Sequence, residues 1–398
     1  MKLRRCAHLF VELDCQPRFE FITLLNGGDG FDRSPRWLAY AAHLDFPVVV
    51  SLEEMALLQA VHPDHWIALT EIETCFAASM VARLLNVGLL VGDDIAANEW
   101  RERDERVRAV AWWPPAAIAH RYGRWQGVDT KARIEAGNVL TTDEAVGAYG
   151  EPPSHDYRRR PSATPQRLDA PLSGVLDGFL DKRKTCRNYA ADAALDSAAF
   201  ATFMRRVWGA VGQFEVGRGT VALKKTSPAG GGLHCVEAYV LVQRVAGVAP
   251  GLYHYLCTEH ALESLQELSH EAAGEHAHRF VAGQHWFAAA PVLVVMTARF
   301  DRLFWKYRRH AKAWRVAHLD AGHLSQTMFL TAAELGLGAF VTAAVNDHAI
   351  ERALELETER EGVIAVCGFG PRAAMATTLE LDDLQPTVAT RMLGAAAP

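Results

Sequence analysis

A chain of 398 residues is too long for one small domain, and two domains are the natural expectation. It is 50% hydrophobic and 22% charged, as in ordinary soluble globular proteins, and its net charge of −6 offers no general attraction for nucleic acid. No apolar run reaches the roughly 20 residues of a membrane span, and residues 1–10 lack the apolar core of a secretory signal.

The seven cysteines, Cys6, Cys15, Cys75, Cys186, Cys235, Cys257 and Cys367, are scattered and never form a C-x-x-C pair. This argues against a disulfide framework and a zinc knuckle. A cytoplasmic protein with neither a membrane nor a nucleic-acid partner is expected.

In chain order, residues 46–50 read as a strand. Ser51 then caps a helix with Glu54 as reciprocal partner, and Met55, Leu57, Leu58 and Val61 form its apolar side. Thr70 and Glu73 repeat the capping-box spacing ahead of Cys75 and Phe76. Ser79 precedes a third helix carrying Met80, Val81, Leu84 and Leu85, which stops near Gly88. Leu89, Leu90 and Val91, followed by Gly92, Asp93 and Asp94, read as a strand and turn. Three short helices and a strand wing predict a winged-helix-like N-terminal domain over residues 1–150. An irregular cap with no binding role is the alternative. Glu53, Glu54, Glu71, Glu73, Asp93 and Asp94 would repel phosphate, so a peptide suits this module better than DNA.

Residues 151–171 contain five prolines and almost no apolar periodicity, which predicts a linker. The domain beyond it spans 172–398. Phe200, Phe203, Met204, Val207 and Trp208 follow helical spacing behind a cap at Asp196. Residues 235–242 and 291–297 are apolar runs of strand length. Residues 314–335 lack proline and stop at Gly336, as a helix with a left-handed cap does. Asn346 or Asp347 opens another helix, residues 362–367 form a last buried strand, and the Ala-rich end 394–398 is expected to fray. Strands separated by long helices predict a layered α+β or α/β domain.

Three segments could carry chemistry. Arg183, Lys184, Thr185, Cys186 and Arg187 read as a run just before a helix, with guanidinium groups and a hydroxyl suited to phosphate. A solvated basic turn is the alternative. Residues 226–234, TSPAGGGLH, hold three glycines that let backbone approach a planar ligand. They lack the dinucleotide fingerprint, and a plain turn is the alternative. Lys306 precedes Arg308, Arg309, His310 and Lys312. Positive neighbours and partial burial would prepare it as a base, with Tyr307 as a second proton-transfer group. The alternative is a solvated basic helix start. The histidine pairs His62/His65, His276/His278 and His318/His323 lack a third ligand, so no metal site is expected.

Taken together and in order, these segments resemble the SagB-type FMN-dependent dehydrogenases, a branch of the nitroreductase-like superfamily acting in ribosomal-peptide maturation. The likeness covers residues 181–371. It rests on the basic run, the TSPAGGGLH loop, the GLYHY stretch at 251–255 with HALE at 260–263, and Lys306 with Tyr307. Asp320, Ala321, Gly322, His323, Gln326 and the GLGA of 336–339 complete it.

The resemblance implies a nitroreductase-like FMN-binding domain with Lys306 and Tyr307 as the catalytic pair. It implies cofactor contacts from Arg183, Lys184, Thr185, Arg187, Ser227, Pro228, Ala229, Gly230, Gly231, Gln326, Gly338 and Ala339. It further implies oxidation of thiazoline or oxazoline rings to azoles on a precursor peptide, with cyclodehydratase partner proteins and a homodimer holding FMN at its interface. Two positions depart from the pattern. Ala229 replaces a common serine, and Cys235 replaces a common proline, which is expected to loosen the turn. The alternatives are an NAD(P)H-dependent nitroreductase-like reductase, another flavin-dependent peptide modification, and a non-catalytic peptide-binding scaffold.

Overall fold

The computed structural model describes residues 1–94, 98–155, 159, 160, 162, 164–166, 168, 169 and 171–381. The expectation for residues 394–398, and part of that for 151–171, lies outside the described residues.

Apolar runs build the centre of the molecule. A six-stranded antiparallel sheet runs in the order Ala261–Glu267, Gly251–Leu256, Val236–Val242, Val292–Arg299, Glu361–Gly370, Gly338–Thr342. The strand Val292–Arg299 shows why both faces are covered. Val292, Val294 and Met296 join one core cluster with Phe200, Val207 and Met328, whereas Leu293 and Val295 join another with Ala273, Phe280 and Ile350. Successive side chains point to opposite faces, so one continuous apolar run serves two cores. Helices Ser197–Val207 and Ala311–Leu335 cover the first face; His270–Phe280 and Asp347–Ala353 cover the second. The result is an α+β domain.

Local signals hold these helices in place. The Asp196 carboxylate accepts from Ala199 N at 2.9 Å, and Phe203 then stacks on Phe369 at 3.6 Å. Helix Ala311–Leu335 ends at Gly336 in the left-handed region, φ 68°.

The N-terminal part departs more from expectation. Ser51 and Glu54 do form the reciprocal box ahead of helix Leu52–Ala60. Thr70 does not cap, because helix Leu69–Ile72 starts after Ala68 and Thr70 already lies in its first turn. Ser79 is likewise inside helix Ala78–Asn86, which begins after Ala77. Among the described residues, the strand Leu90–Gly92 has its ladder on the N-terminal side of the chain. It pairs with Lys2–Arg5, which sits between it and Ile67–Ala68. A second sheet joins Leu9–Asp14, Arg36–Ala41 and Val48–Val50. Glu54 is buried against Arg83, so it is not part of a free acidic surface.

The segment 107–124 ties this part to the large sheet. Trp112, 1% exposed, lies between Phe300 and Phe304 at 4.5 and 4.7 Å, and its indole N–H donates to Glu359 O at 2.9 Å. His120 stacks on Trp112 at 5.6 Å. All seven cysteines are free thiols. No helix among the described residues is long and apolar enough to cross a membrane.

Candidate active site

The glycine loop is anchored at its start. Thr226 Oγ1 donates to Arg206 O at 2.6 Å, and Ser227 Oγ lies 2.6 Å from Thr327 Oγ1 on helix Ala311–Leu335. Ala229 is extended, and Gly230–Gly232 then form one tight turn with Gly231 and Gly232 at φ 66° and 69°. Those angles favour glycine. Space demands it too: a Cβ on Gly230 would run into Val316, and one on Gly231 into Tyr307 Oη and Lys306 Nζ.

Asp320 ties the turn to the helix. Its Oδ1 accepts from Gly230 N at 2.9 Å, and its Oδ2 lies 3.6 Å from Cys235 Sγ. Burial raises the Asp320 pKa, against the lowering effect of those two donors. Burial, then the Asp320 charge, pushes the Cys235 thiol far above its ordinary value. The loosened turn expected at Cys235 is therefore absent: its thiol faces Asp320, and its carbonyl accepts from Arg299 N at 2.8 Å.

Lys306 and Tyr307 lie at the end of helix Phe300–Lys306 and not at a helix start. The chain reverses through Arg309 at φ 52°, and His310 caps the next helix by accepting from Lys312 N at 3.0 Å. Lys306 Nζ donates to Gly231 O at 2.8 Å. The Lys306 and Lys312 ammonium groups lie 5.9 and 5.1 Å from the Tyr307 ring centre. Lys306 is exposed, so the expected partial burial is missing; the backbone of the glycine loop holds the ammonium instead.

The basic run follows the short helix Asp177–Lys182 and does not lead into one. It is extended because it adds to a strand: Thr185 bridges Ala339, and Cys186 N donates to Ala339 O at 2.8 Å. Gly338 is required there, since a Cβ would run into Cys186 Sγ. The Arg183 guanidinium lies 5.5 Å from the Phe329 ring and the Arg187 guanidinium 5.9 Å from the Phe287 ring. Neither has an ion-pair partner among the described residues, and Lys184 is half-buried beside them.

Helix Ala311–Leu335 links the two groups of residues. Val316, Asp320 and Thr327 serve the glycine loop, Phe329 serves Arg183, and the exposed Gln326 lies between Asp320 and Thr327 in sequence. Pro228 and Ala229 line a small cavity with Ser227 and Asp320. Asp320 was legible as part of the motif on this helix, but not as the residue that holds the glycine loop; Thr327 and Val316 were not among the expected residues. The donor set fits a phosphorylated planar cofactor: unpaired guanidinium groups and a hydroxyl for a phosphate, and a loop without Cβ atoms for a flat ring.

Residues 180–371 match the model of the nitroreductase family, so this part of the chain is a nitroreductase-family domain with a mixed α+β fold. The family consists of flavin-dependent oxidoreductases, and its members bind FMN, the cofactor expected from the sequence. A Methanocaldococcus jannaschii protein named for the nitroreductases is 30% identical over 135 residues, 33% of this chain and 65% of its own length. The trifolitoxin-processing protein TfxB of Rhizobium leguminosarum bv. trifolii is 30% identical over 136 residues, 34% of this chain and 36% of its own length. The match thus spans less than two thirds of either relative. Among solved structures, the Escherichia coli microcin synthetase McbBCD complex with truncated pro-MccB17 aligns with 16% identity and a TM-score of 0.45. That alignment covers 78% of this chain and 99% of the matched one.

Proposed function

Starting from a nitroreductase-family domain, we propose that this chain is an FMN-dependent dehydrogenase of the SagB type. In this reading it oxidises thiazoline or oxazoline rings to azoles on a ribosomally made peptide. The observation that carries the reading is the bond from Lys306 Nζ to Gly231 O, which sets an exposed ammonium and the Tyr307 phenol on the glycine loop. The name of the rhizobial relative, a trifolitoxin-processing protein, supports a peptide as substrate.

Each residue then has a role. Arg183, Lys184, Thr185 and Arg187 would hold the FMN phosphate and ribityl chain. Ser227, Pro228, Ala229, Gly230 and Gly231, with Gln326, Gly338 and Ala339, would frame the ring system. When bound, FMN supplies the acceptor for the hydride that leaves the azoline. Tyr307 as its phenolate, or Lys306 as its free amine, takes the ring proton, which needs a base within hydrogen-bond reach of the carbon. The aromatic product favours the forward direction.

Residues 46–94 form the second part of the reading: a winged-helix-like module that grips the leader of the precursor, by strand addition to an exposed edge. The three helices and the sheet centred on Lys2–Arg5 support it. The proposed organisation is 1–150 for this domain, 151–171 for a linker and 172–398 for catalysis, working as a cytoplasmic homodimer beside cyclodehydratase proteins. A second reading, reduction driven by NAD(P)H, is favoured by the name of the archaeal relative.

Purified protein should be yellow and release FMN on denaturation. A colourless protein that also fails to take up added FMN defeats the reading. Titrating the isolated leader against the full chain and against a version starting at Ser162 tests the module. Equal affinity for both removes its recognition role.

A further inference from the structure

A cavity of about 290 Å3 opens between the N-terminal elements and the loop that follows Lys306 and Tyr307. His8, Pro63, Asp64, Arg108 and Pro114 line it from one side, and Arg309 from the other. The Arg309 side is firmly placed. Arg309 N donates to Ala111 O at 2.9 Å, and both residues take left-handed φ values, 52° and 57°. Non-glycine residues adopt that region rarely, and clusters of such strain mark functional loops.

The polar groups around this cavity are unevenly used. Arg108 is committed throughout: Nε donates to Asp104 at 2.6 Å, Nη1 to Asp64 at 2.9 Å and Nη2 to Arg5 O at 3.1 Å. Arg108 is thus shared between Asp64 and Asp104. The Arg309 guanidinium is exposed and has no side-chain partner among the described residues. His8 Nε2 is buried and unpartnered. Burial lowers the His8 pKa; Asp104 and a backbone hydrogen bond to Ala7 oppose it, and the charges of Arg108 and Arg309 act with it.

A buried ring nitrogen without a partner is rare in folded proteins. An imidazole nitrogen donates or accepts according to where the ring holds its proton; with a proton on Nε2, His8 and the neighbouring guanidinium take the same partner, an anionic oxygen acceptor. A carboxylate accepts from a guanidinium fork and from an imidazole N–H at once. One uncompensated cation matches one negative charge, whereas a dianion would also face Asp64 and Asp104. Proline walls keep the pair partly out of water, which strengthens it. Whole ligands usually need about 300–1,000 Å3, so this cavity suits a side chain better than a nucleotide.

We propose that this cavity takes one acidic side chain, Asp or Glu, of the peptide substrate. Arg309 and His8 hold that acid while the segment to be modified lies at Lys306 and Tyr307. Because Arg309 is two residues beyond Tyr307, the acid is held by the loop that carries the catalytic pair. The proposal rests on the peptide reading given above, and it makes the cavity a register mark between the N-terminal module and the catalytic pair.

The test is a titration of full-length protein, labelled with nitrogen-15 in its histidines, using N-acetylglutamate N-methylamide and its glutamine counterpart. The His8 signal is assigned with His8→Phe. The glutamate amide should shift the His8 signal saturably and the glutamine amide should not. Arg309→Ala should weaken the response by about tenfold, and Arg309→Lys should restore part of it. No saturable shift, equal shifts from both amides, or an unchanged response in Arg309→Ala would overturn the proposal. Tighter binding of inorganic phosphate than of the glutamate amide would overturn the ligand class. The titration needs neither FMN nor turnover. Protein that binds the glutamate amide but modifies no peptide keeps this site and loses the dehydrogenase reading; protein that modifies peptide but fails the titration does the reverse.

Discussion

The glycine-loop site and the seam between the N-terminal elements and the large sheet differ in how far their polar groups are already spent. The seam holds a cavity of about 690 Å3, more than twice the volume of the one beside Arg309. Yet its charges are largely satisfied. Asp45 accepts from Arg121 at 2.8 Å and Arg103 at 2.9 Å, and Glu351 accepts from Arg124 at 2.8 Å. At the glycine loop the cavity is small, but Lys306 is exposed with a single backbone bond, and Arg183 and Arg187 have no ion-pair partners among the described residues. Cavity size would point to the seam. Unspent donors point to the loop, and chemistry needs those.

The comparison predicts opposite effects of substitution in the two regions. Lys306→Ala and Tyr307→Phe should lower turnover on the order of 100- to 10,000-fold, while melting temperature and FMN content stay at wild-type values. Turnover within a few-fold of wild type in both variants would remove the pair from the chemistry, and loss of FMN would make it structural. Trp112→Ala should do the reverse. It empties a buried site between Phe300 and Phe304 and leaves Glu359 O without its donor, costing about 3–5 kcal/mol by chemical denaturation. An unchanged denaturation midpoint would show that the seam is not a shared core.

Gly338→Ala probes the point where binding and packing meet. The added methyl runs into Cys186 Sγ, so a loss of about 1–3 kcal/mol is expected, together with weaker FMN binding as residues 183–187 shift. Stability lost with FMN affinity unchanged would separate the basic run from the cofactor.

How much of this was legible varied with how local the signal was. The cap at Asp196, the box at Ser51 and Glu54, and the stop at Gly336 depend on a few neighbouring residues, and they stand as read. Thr70 and Ser79 failed because a capping motif works only where the helix begins, and both helices begin earlier. Lys2–Arg5 could not be placed, because its partners lie more than sixty residues away. Lys306 and Tyr307 were legible as residues but not as geometry. The pair ends helix Phe300–Lys306, and the break at Arg309 separates it from helix Ala311–Leu335, whereas the alternative reading put the basic stretch at a helix start. The tie from Asp320 to Gly230 was out of reach, since it joins positions ninety apart through one side chain.

The smallest expected effect concerns pH at the seam. Burial outweighs Arg124 and raises the Glu351 pKa from 4.5 to about 7. A carboxyl raised on folding stabilises fully below 4.5 and loses that contribution as pH rises through 7. Glu351→Gln should therefore gain stability relative to wild type as pH climbs across that window. The difference between the two proteins is the quantity to measure, because buried His120, pushed down to about 3, acts in the opposite sense below 6.5. A difference that is flat with pH would mean that Glu351 titrates alike in the folded and unfolded chain.

The most direct test of the central claim is the mass of a precursor peptide bearing azoline rings, incubated with FMN-loaded protein in air. The account predicts a loss of two hydrogens per ring, abolished in the double variant Lys306→Ala, Tyr307→Phe. An unchanged peptide mass, with NAD(P)H consumed when a nitroaromatic is supplied, would contradict it.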